Sequence, residues 1–179
     1  MKRIGLILTG GAARRMRGKA KHGLRHVGGE TLLHRTYRVL SLLTDETWLV
    51  GEGSSGHPFI EDPRRGPAAA VSMAAQRFPG AWLVVCPSDL ARPNPKLLAR
   101  LSRFDPSWDA ITVGAHGEWA QLLLGVSADF ARHRGDGGFR PWWRFARRVR
   151  LSLGALGSAE RAGLVDVDSP LDAARLHID

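Results

Sequence analysis

The feature that most constrains the fold is a short apolar segment near the start of the chain that ends at two adjacent glycines. Residues 4–8 read Ile-Gly-Leu-Ile-Leu and are followed by Thr9, Gly10 and Gly11. A short apolar run bounded by glycine is typical of a buried strand. Glycine lets the backbone turn at positive φ and approach a ligand closely. The segment therefore predicts a buried strand that leads directly into a tight turn.

Positive charge follows this turn at once. The next ten residues carry five basic side chains, namely Arg14, Arg15, Arg17, Lys19 and Lys21. Successive backbone N–H groups in a glycine turn form a concave anion site, and cations around it suit a triphosphate. The spacing matches neither G-x-x-x-x-G-K-[ST] nor G-x-G-x-x-G, which excludes the two common phosphate loops. The alternative is an ordinary strand-to-loop turn on a basic protein.

The bulk properties indicate a globular protein. The chain has 179 residues, of which 44% are hydrophobic, and this size suits a single domain spanning residues 1–179. A single cysteine, Cys86, excludes an internal disulfide and a cysteine-based zinc cluster. No apolar run approaches the ~20 residues of a membrane span, and the first residues do not resemble a secretory signal. We expect a cytoplasmic protein that has no membrane partner.

The net charge of +9 points to anionic partners rather than to a fold. Nucleic acid is one such partner, and nucleoside triphosphates or phosphorylated cofactors are another. The chain has no long Lys/Arg run and one tyrosine, Tyr37, and it lacks the aromatic signature of an RNA-recognition motif. We therefore expect small anions rather than nucleic acid.

Strand-like and helix-like segments alternate along the first hundred residues. Helices are predicted over 30–43, 68–76 and 96–103, and strands over 47–50, 58–63 and 81–86. This alternation predicts βαβ units and a parallel sheet. Ligands of such sheets bind beyond the carboxyl ends of the strands, which is where the glycine turn lies.

The last third of the chain is less regular. Residues 109–113 and 119–126 predict two strands joined by a five-residue hairpin loop that contains His116. Residues 139–149 interleave Trp and Phe with arginines, which predicts a helix with one buried and one basic face, and contact with a pterin or nucleic acid is the alternative. Residues 163–168 predict a strand that ends in acids, before a helix beginning at Ser169-Pro170.

Three separated motifs resemble one family. Leu8-Thr9-Gly10-Gly11, Arg15-Met16 and Lys21 resemble the L-x-G-G…R-M-G…K signature of the MobA-like nucleotidyltransferases, relatives of molybdenum cofactor guanylyltransferase. Ile60-Glu61-Asp62 with residues 66–70 resembles the family's Ile-Glu-Asp and Gly-Pro-Leu-Ala-Gly stretches, and residues 86–89 resemble its C-P-x-D segment. The resemblance implies a single-domain, Rossmann-like α/β three-layer sandwich with a mostly parallel central sheet, of the nucleotide-diphospho-sugar transferase type.

The resemblance also implies roles for individual residues. The nucleotide would be bound by residues 8–11, with Gly10 and Gly11 cradling its phosphates. Arg15 and Lys21 would offset charge on the transferring and leaving groups, and Lys21 would also bind the nucleotide. Asp62 would contact the guanine edge and Asp89 would bind Mg²⁺, with Asp168 as a second candidate ligand. The family-free alternatives are that Asp62 and Asp89 only order proline-containing turns and that Asp168 only orders the start of a helix.

The implied activity is transfer of GMP from GTP to molybdopterin-bound molybdenum, giving the guanine dinucleotide cofactor. Such chemistry needs positioning and charge stabilisation, with Mg²⁺ as a Lewis acid. The implied partners are GTP, the molybdopterin cofactor and other proteins of its biosynthesis. The alternatives are a cytidylyl- or sugar-phosphate nucleotidyltransferase of the same fold and a non-catalytic nucleotide- or RNA-binding protein.

Four departures from the family pattern leave the base and the acceptor open. Ala20 replaces the aspartate before the motif lysine, and Arg17 replaces the glycine after Met16. Gly51 stands where an asparagine often follows the second strand. The stretch 66–70 has lost its leucine and its last glycine.

Overall fold

The computed structural model describes residues 1–10, 25, 29–51, 56–115, 118–135 and 137–165. Within these ranges seven strands form one sheet. The strands are β1 Arg3–Leu8, β2 Glu46–Val50, β3 Phe59–Ile60, β4 Trp82–Pro87, β5 Ala110–Ala115, β6 Glu118–Ser127 and β7 Arg148–Ser152. Their order across the sheet is β3-β2-β1-β4-β6-β5-β7.

The sheet is parallel except at one strand. β1 pairs in parallel with β2 and β4, β2 with β3, and β5 with β7, whereas β6 is antiparallel to both β4 and β5. Six strands therefore end at the same edge of the sheet, which we call the carboxyl edge. This arrangement confirms the predicted α/β fold with a mostly parallel central sheet.

Five α-helices accompany the strands in the described part of the chain. They are α1 Leu32–Ser41, α2 Pro67–Arg77, α3 Pro95–Leu101, α4 Ala128–Ala131 and α5 Ser158–Ala162. The side chains of Thr31 and Asn94 cap α1 and α3 by accepting from His34 N and Leu97 N, as N-cap residues do. None of the helices in the described ranges has the length and hydropathy of a membrane span.

The core lies in two layers, one on each face of the sheet. On one face Ile4, Leu6 and Leu8 of β1 pack with the small apolar side of α2 and with α4. On the other face Ile7 packs with residues of α1 and α3. Side chains alternate between faces along a strand, so β1, β2 and β4 each contribute to both layers. The sheet between two helical layers matches the predicted three-layer sandwich.

The structure corrects three expectations in the second half of the chain. Residues 139–149 are not a helix, because a 3₁₀ turn at Arg140–Arg144 is followed by the edge strand β7. The hairpin between β5 and β6 is tighter than predicted, since Ala115 already pairs with Glu118. Residues 163–165 follow α5 as a turn rather than a strand, and the Val165 carbonyl accepts from Ala91 N at 3.0 Å.

Asp109 and Arg147 fasten the start of β7 to the start of β5. The Asp109 carboxylate accepts from the Arg147 backbone N–H at 2.8 Å and from its guanidinium at 2.9 and 3.2 Å. These hydrogen bonds with Arg147, above all those to its side chain, lower the pKa of Asp109. A pKa that is lower in the folded than in the unfolded chain stabilises the fold above the unfolded value, and this stabilisation is lost as the pH falls through the folded value.

We therefore expect Asp109→Asn to lower the denaturation midpoint at pH 7. The deficit relative to the parent should shrink as the pH falls below about 4, the ordinary pKa of an aspartate. Denaturant titrations between pH 3 and pH 7 would measure it, with Glu61→Gln, an exposed carboxylate on another loop, as the control. A deficit that does not change with pH would contradict the assignment of the pH-dependent stabilisation to this pair.

Candidate functional site

The ends of β1 and β4 are joined at the carboxyl edge. Leu8 pairs with Pro87 in the parallel register, and Ser88 N–H donates to the Leu8 carbonyl at 3.3 Å. Asp89 is the next residue and is partly buried. The turn after β1 (Thr9 and Gly10) and the acid after β4 (Asp89) therefore lie side by side, although about 80 residues of chain separate them.

The turn after β1 is held against the end of β2. The Val50 carbonyl accepts from Thr9 N–H at 2.9 Å, from Gly10 N–H at 3.3 Å and from the Thr9 hydroxyl at 3.2 Å. Thr9 is buried. Three donors on one carbonyl fix the direction in which the chain leaves β1.

Gly51 explains one of the departures from the family pattern. Its φ is +135°, and a Cβ built on it would lie 2.5 Å from both Gly10 N and Thr9 Oγ1. Real Cβ contacts are much longer, so an asparagine side chain cannot be attached here without moving the turn after β1. Gly51 N–H also donates to the Ile60 carbonyl at 2.9 Å. In the sequence, Gly51 is only a departure from the family pattern. In the structure, glycine is required at this position because a side chain would overlap the turn after β1.

Asp62 lies directly over Gly10. A Cβ on Gly10 would overlap the Asp62 carboxylate, so the acid occupies the space that glycine leaves free. The carboxylate is oriented by its own turn, since Oδ1 accepts from Arg64 N–H at 2.8 Å and Arg64 has a φ of +56°. The turn-forming role considered from sequence is thus present, and Asp62 additionally reaches the end of β1.

Five of the predicted site residues lie together at the carboxyl edge: Leu8, Thr9, Gly10, Asp62 and Asp89. Sequence motifs did not indicate the Val50 carbonyl, because a backbone acceptor leaves no residue-type signal. Four further predicted residues, Gly11, Arg15, Lys21 and Asp168, fall outside the described residues, as does His116.

The donor set at this edge suits a cation held jointly with a ligand. Within the described ranges no group of three or more His, Cys, Asp or Glu side chains could hold a metal ion by itself. Mg²⁺ is usually bound by one or two carboxylates together with substrate phosphates. Asp89, beside the turn that follows β1, provides a carboxylate of this kind.

Comparisons with known proteins agree with this architecture. The family model of the MobA-like NTP transferase domain matches residues 5–151. Molybdopterin-guanine dinucleotide biosynthesis protein A from Archaeoglobus fulgidus superposes with a TM-score of 0.79 at 19% identity, over 97% of this chain and 96% of that one. No curated protein matches the chain significantly in sequence.

Two further solved structures have the same fold. Rv0371c from Mycobacterium tuberculosis, in complex with manganese, is 17% identical with a TM-score of 0.67, over 99% of this chain and 98% of that one. The bifunctional IspDF from Campylobacter jejuni is 12% identical with a TM-score of 0.72, over 99% of this chain and 55% of that one. At such identities the likeness concerns the fold.

Proposed function

The chain belongs to the MobA-like NTP transferase family, and from this premise we propose that it transfers GMP from GTP to a phosphorylated acceptor, molybdopterin-bound molybdenum. The observation that carries the proposal is the meeting of Thr9–Gly10, Asp62 and Asp89 at one edge of the sheet. In this proposal the turn after β1 would receive the phosphates, Asp62 the base and Asp89 a cation.

The turn after β1 would receive the phosphates. A phosphate oxygen of the acceptor attacks the α-phosphorus of GTP, the bond from that phosphorus to the bridging oxygen breaks, and pyrophosphate leaves. This reaction requires positioning and charge stabilisation more than it requires a nucleophilic side chain. Arg15 and Lys21 are the proposed sources of positive charge.

Asp89 would hold Mg²⁺ together with the phosphates, and the ion would supply Lewis-acid stabilisation of the transferring phosphoryl group. The manganese complex of Rv0371c from Mycobacterium tuberculosis, a protein of the same fold, supports a divalent cation. Asp89 would supply a carboxylate ligand at the end of β4, beside the turn after β1.

Asp62 would select the base. A carboxylate can accept from the two adjacent N–H groups on the guanine edge, whereas cytosine does not offer this pair. Because Arg64 N–H already holds Oδ1, the carboxylate is oriented before the nucleotide binds. The similarity to molybdopterin-guanine dinucleotide biosynthesis protein A from Archaeoglobus fulgidus supports molybdopterin as the acceptor. Because the fold is shared with IspDF, a cytidylyltransferase is the competing assignment.

We expect the protein to bind GTP with Mg²⁺ at least about tenfold more tightly than CTP or ATP, since charge-assisted hydrogen bonds to a base contribute about 1.5–3 kcal/mol. Asp62→Asn should remove most of this preference. Isothermal titration would measure the three affinities, and pyrophosphate release with the molybdenum-loaded pterin would measure transfer.

Glu61→Gln is the matched control, because Glu61 precedes Asp62 in the same loop and is exposed. It should keep the guanine preference. Tighter binding of CTP than of GTP would overturn the guanine assignment in favour of a cytidylyltransferase. Binding of GTP without pyrophosphate release in the presence of any acceptor would instead favour a non-catalytic nucleotide-binding protein.

A further inference from the structure

A second pocket lies on the outer side of α2. It is formed between one face of α2 and the segment that follows α4, with a volume of about 400 Å³. Its floor includes Ala69 and Met73 of α2, and its rim carries Arg65, Arg132 and Arg134. We call it the α2 pocket. Its lining includes none of Thr9, Gly10, Asp62 or Asp89, so it is distinct from the edge described above.

Arg134 is positioned before any ligand arrives. Its guanidinium carbon lies 4.4 Å from the centre of the Phe130 ring and 5.2 Å from that of Phe145. Stacking on aromatic faces is typical of arginine and fixes the plane of its donors. Phe145 is 67% exposed, so an aromatic side chain is kept at the surface beside this arginine.

The Nε–H of Arg134 is buried without a hydrogen-bond partner in the described part of the chain. Buried donors are nearly always paired, and an unpaired one in a charged group is costly. This unpaired donor belongs to an arginine that lines the α2 pocket.

The arginines of the α2 pocket are partly balanced by carboxylates outside its lining, since Arg134 interacts electrostatically with Asp109. Arg132 contacts Asp129 at 3.5 Å and donates from Nε to His133 Nε2 at 3.0 Å. No carboxylate belongs to the part of the lining that the structure describes. Arg132 and Arg134 lie two residues apart in the segment after α4, and arginine binds phosphate oxygens bidentately.

We propose that the α2 pocket binds a small organic phosphate, with the phosphate on Arg132 and Arg134 and the body of the ligand on Ala69 and Met73. The pocket has the size of small-molecule sites, which run from about 300 to 1,000 Å³. It shares the turn at residues 62–66 with the nucleotide site, because Pro63 and Arg65 line it while Asp62 faces Gly10. The site is additional to the nucleotide site and does not depend on the proposed transfer reaction.

Flavin mononucleotide and riboflavin form a matched pair of probes, since they differ only in the phosphate. We expect fluorescence titration to give flavin mononucleotide an affinity at least about tenfold higher than that of riboflavin, as expected for a charge-assisted pair of hydrogen bonds. Saturating GTP with Mg²⁺ should leave this affinity unchanged, because the two sites are separate.

Arg134→Gln should reduce the affinity for flavin mononucleotide about tenfold and leave riboflavin unaffected, and Arg132→Gln should act in the same direction if Arg134→Gln fails to fold. Arg103→Gln, an exposed arginine after α3, is the control and should bind as the parent does. Equal affinities for the two flavins, no effect of either variant, or displacement by GTP would each overturn the site. Binding of RNA oligonucleotides that strengthens with their length and is lost in Arg134→Gln would replace it with an extended polyanion surface.

Discussion

Asp89→Asn is expected to lower kcat/KM for nucleotidyl transfer by about a hundredfold or more while leaving the fold intact. Removing one preorganised charge from a transition-state site typically costs 10²–10³ in rate, and here the lost charge is the proposed protein ligand of Mg²⁺. The side chain is partly exposed at the end of β4, and Asn preserves its size. Pyrophosphate release at fixed GTP and acceptor would measure the effect.

The dependence on Mg²⁺ separates a cation-binding role from a merely structural one. If Asp89 binds the ion, the variant should need a higher Mg²⁺ concentration for half-maximal activity, and its thermal midpoint should match the parent's. Asp105→Asn is the control, because Asp105 orders an exposed turn with Ser107 at the opposite edge of the sheet. Unchanged activity in Asp89→Asn would remove this residue from the reaction.

The sequence predicts those site residues that lie directly after the ends of strands. Apart from Arg3 at the start of β1, the strands β1 and β4 have no charged residue. The ends of parallel strands meet at one edge, so Gly10 and Asp89 could be brought together without coordinates. The contact between Asp62 and Gly10 could not be predicted in this way. The sequence does indicate the turn that Asp62 forms with Arg64, but the position of this turn over Gly10 is a long-range contact that has no residue-type signature.

β7 was missed for a different reason. Its five residues alternate Arg148, Val149, Arg150, Leu151 and Ser152, and this short period-two pattern is embedded in a segment whose arginines also fit a helical face. The first four residues are half-buried, as on an edge strand whose side chains alternate only weakly between buried and exposed. The parallel pairing with β5 is a long-range interaction, and local propensity carries no information about it.

Gly51 departs from the family's sequence pattern for a structural reason. The asparagine that commonly follows the second strand is impossible with this backbone, because the turn after β1 occupies its space. Any selectivity that the asparagine provides elsewhere must here come from other groups, and Asp62 is the side chain best oriented to provide it. Under the proposed function, the base preference would therefore depend more strongly on this one carboxylate.

Gly10→Ala is expected to reduce the free energy of unfolding by about 1–3 kcal/mol, the range for overpacking, and to weaken GTP binding. The cost arises from contact rather than from backbone conformation, because Gly10 has no positive φ and its Cβ would overlap the Asp62 carboxylate. In an Asp62→Ala background the same substitution should cost only a few tenths of a kcal/mol, since the two Cβ atoms would lie at an ordinary 3.5 Å.

The control for this double-mutant cycle is Gly51→Ala, whose Cβ would meet Gly10 N and Thr9 Oγ1 rather than Asp62 and whose φ is positive. Asp62→Ala should therefore not rescue it. Denaturant titrations of the four Gly10/Asp62 combinations give the coupling energy, which we expect to be about 1 kcal/mol or more. A coupling near zero would mean that the Asp62 side chain turns away from Gly10 in solution. The carboxylate would then lack the orientation on which the guanine preference depends, so the same cycle tests the base assignment without any assay of transfer.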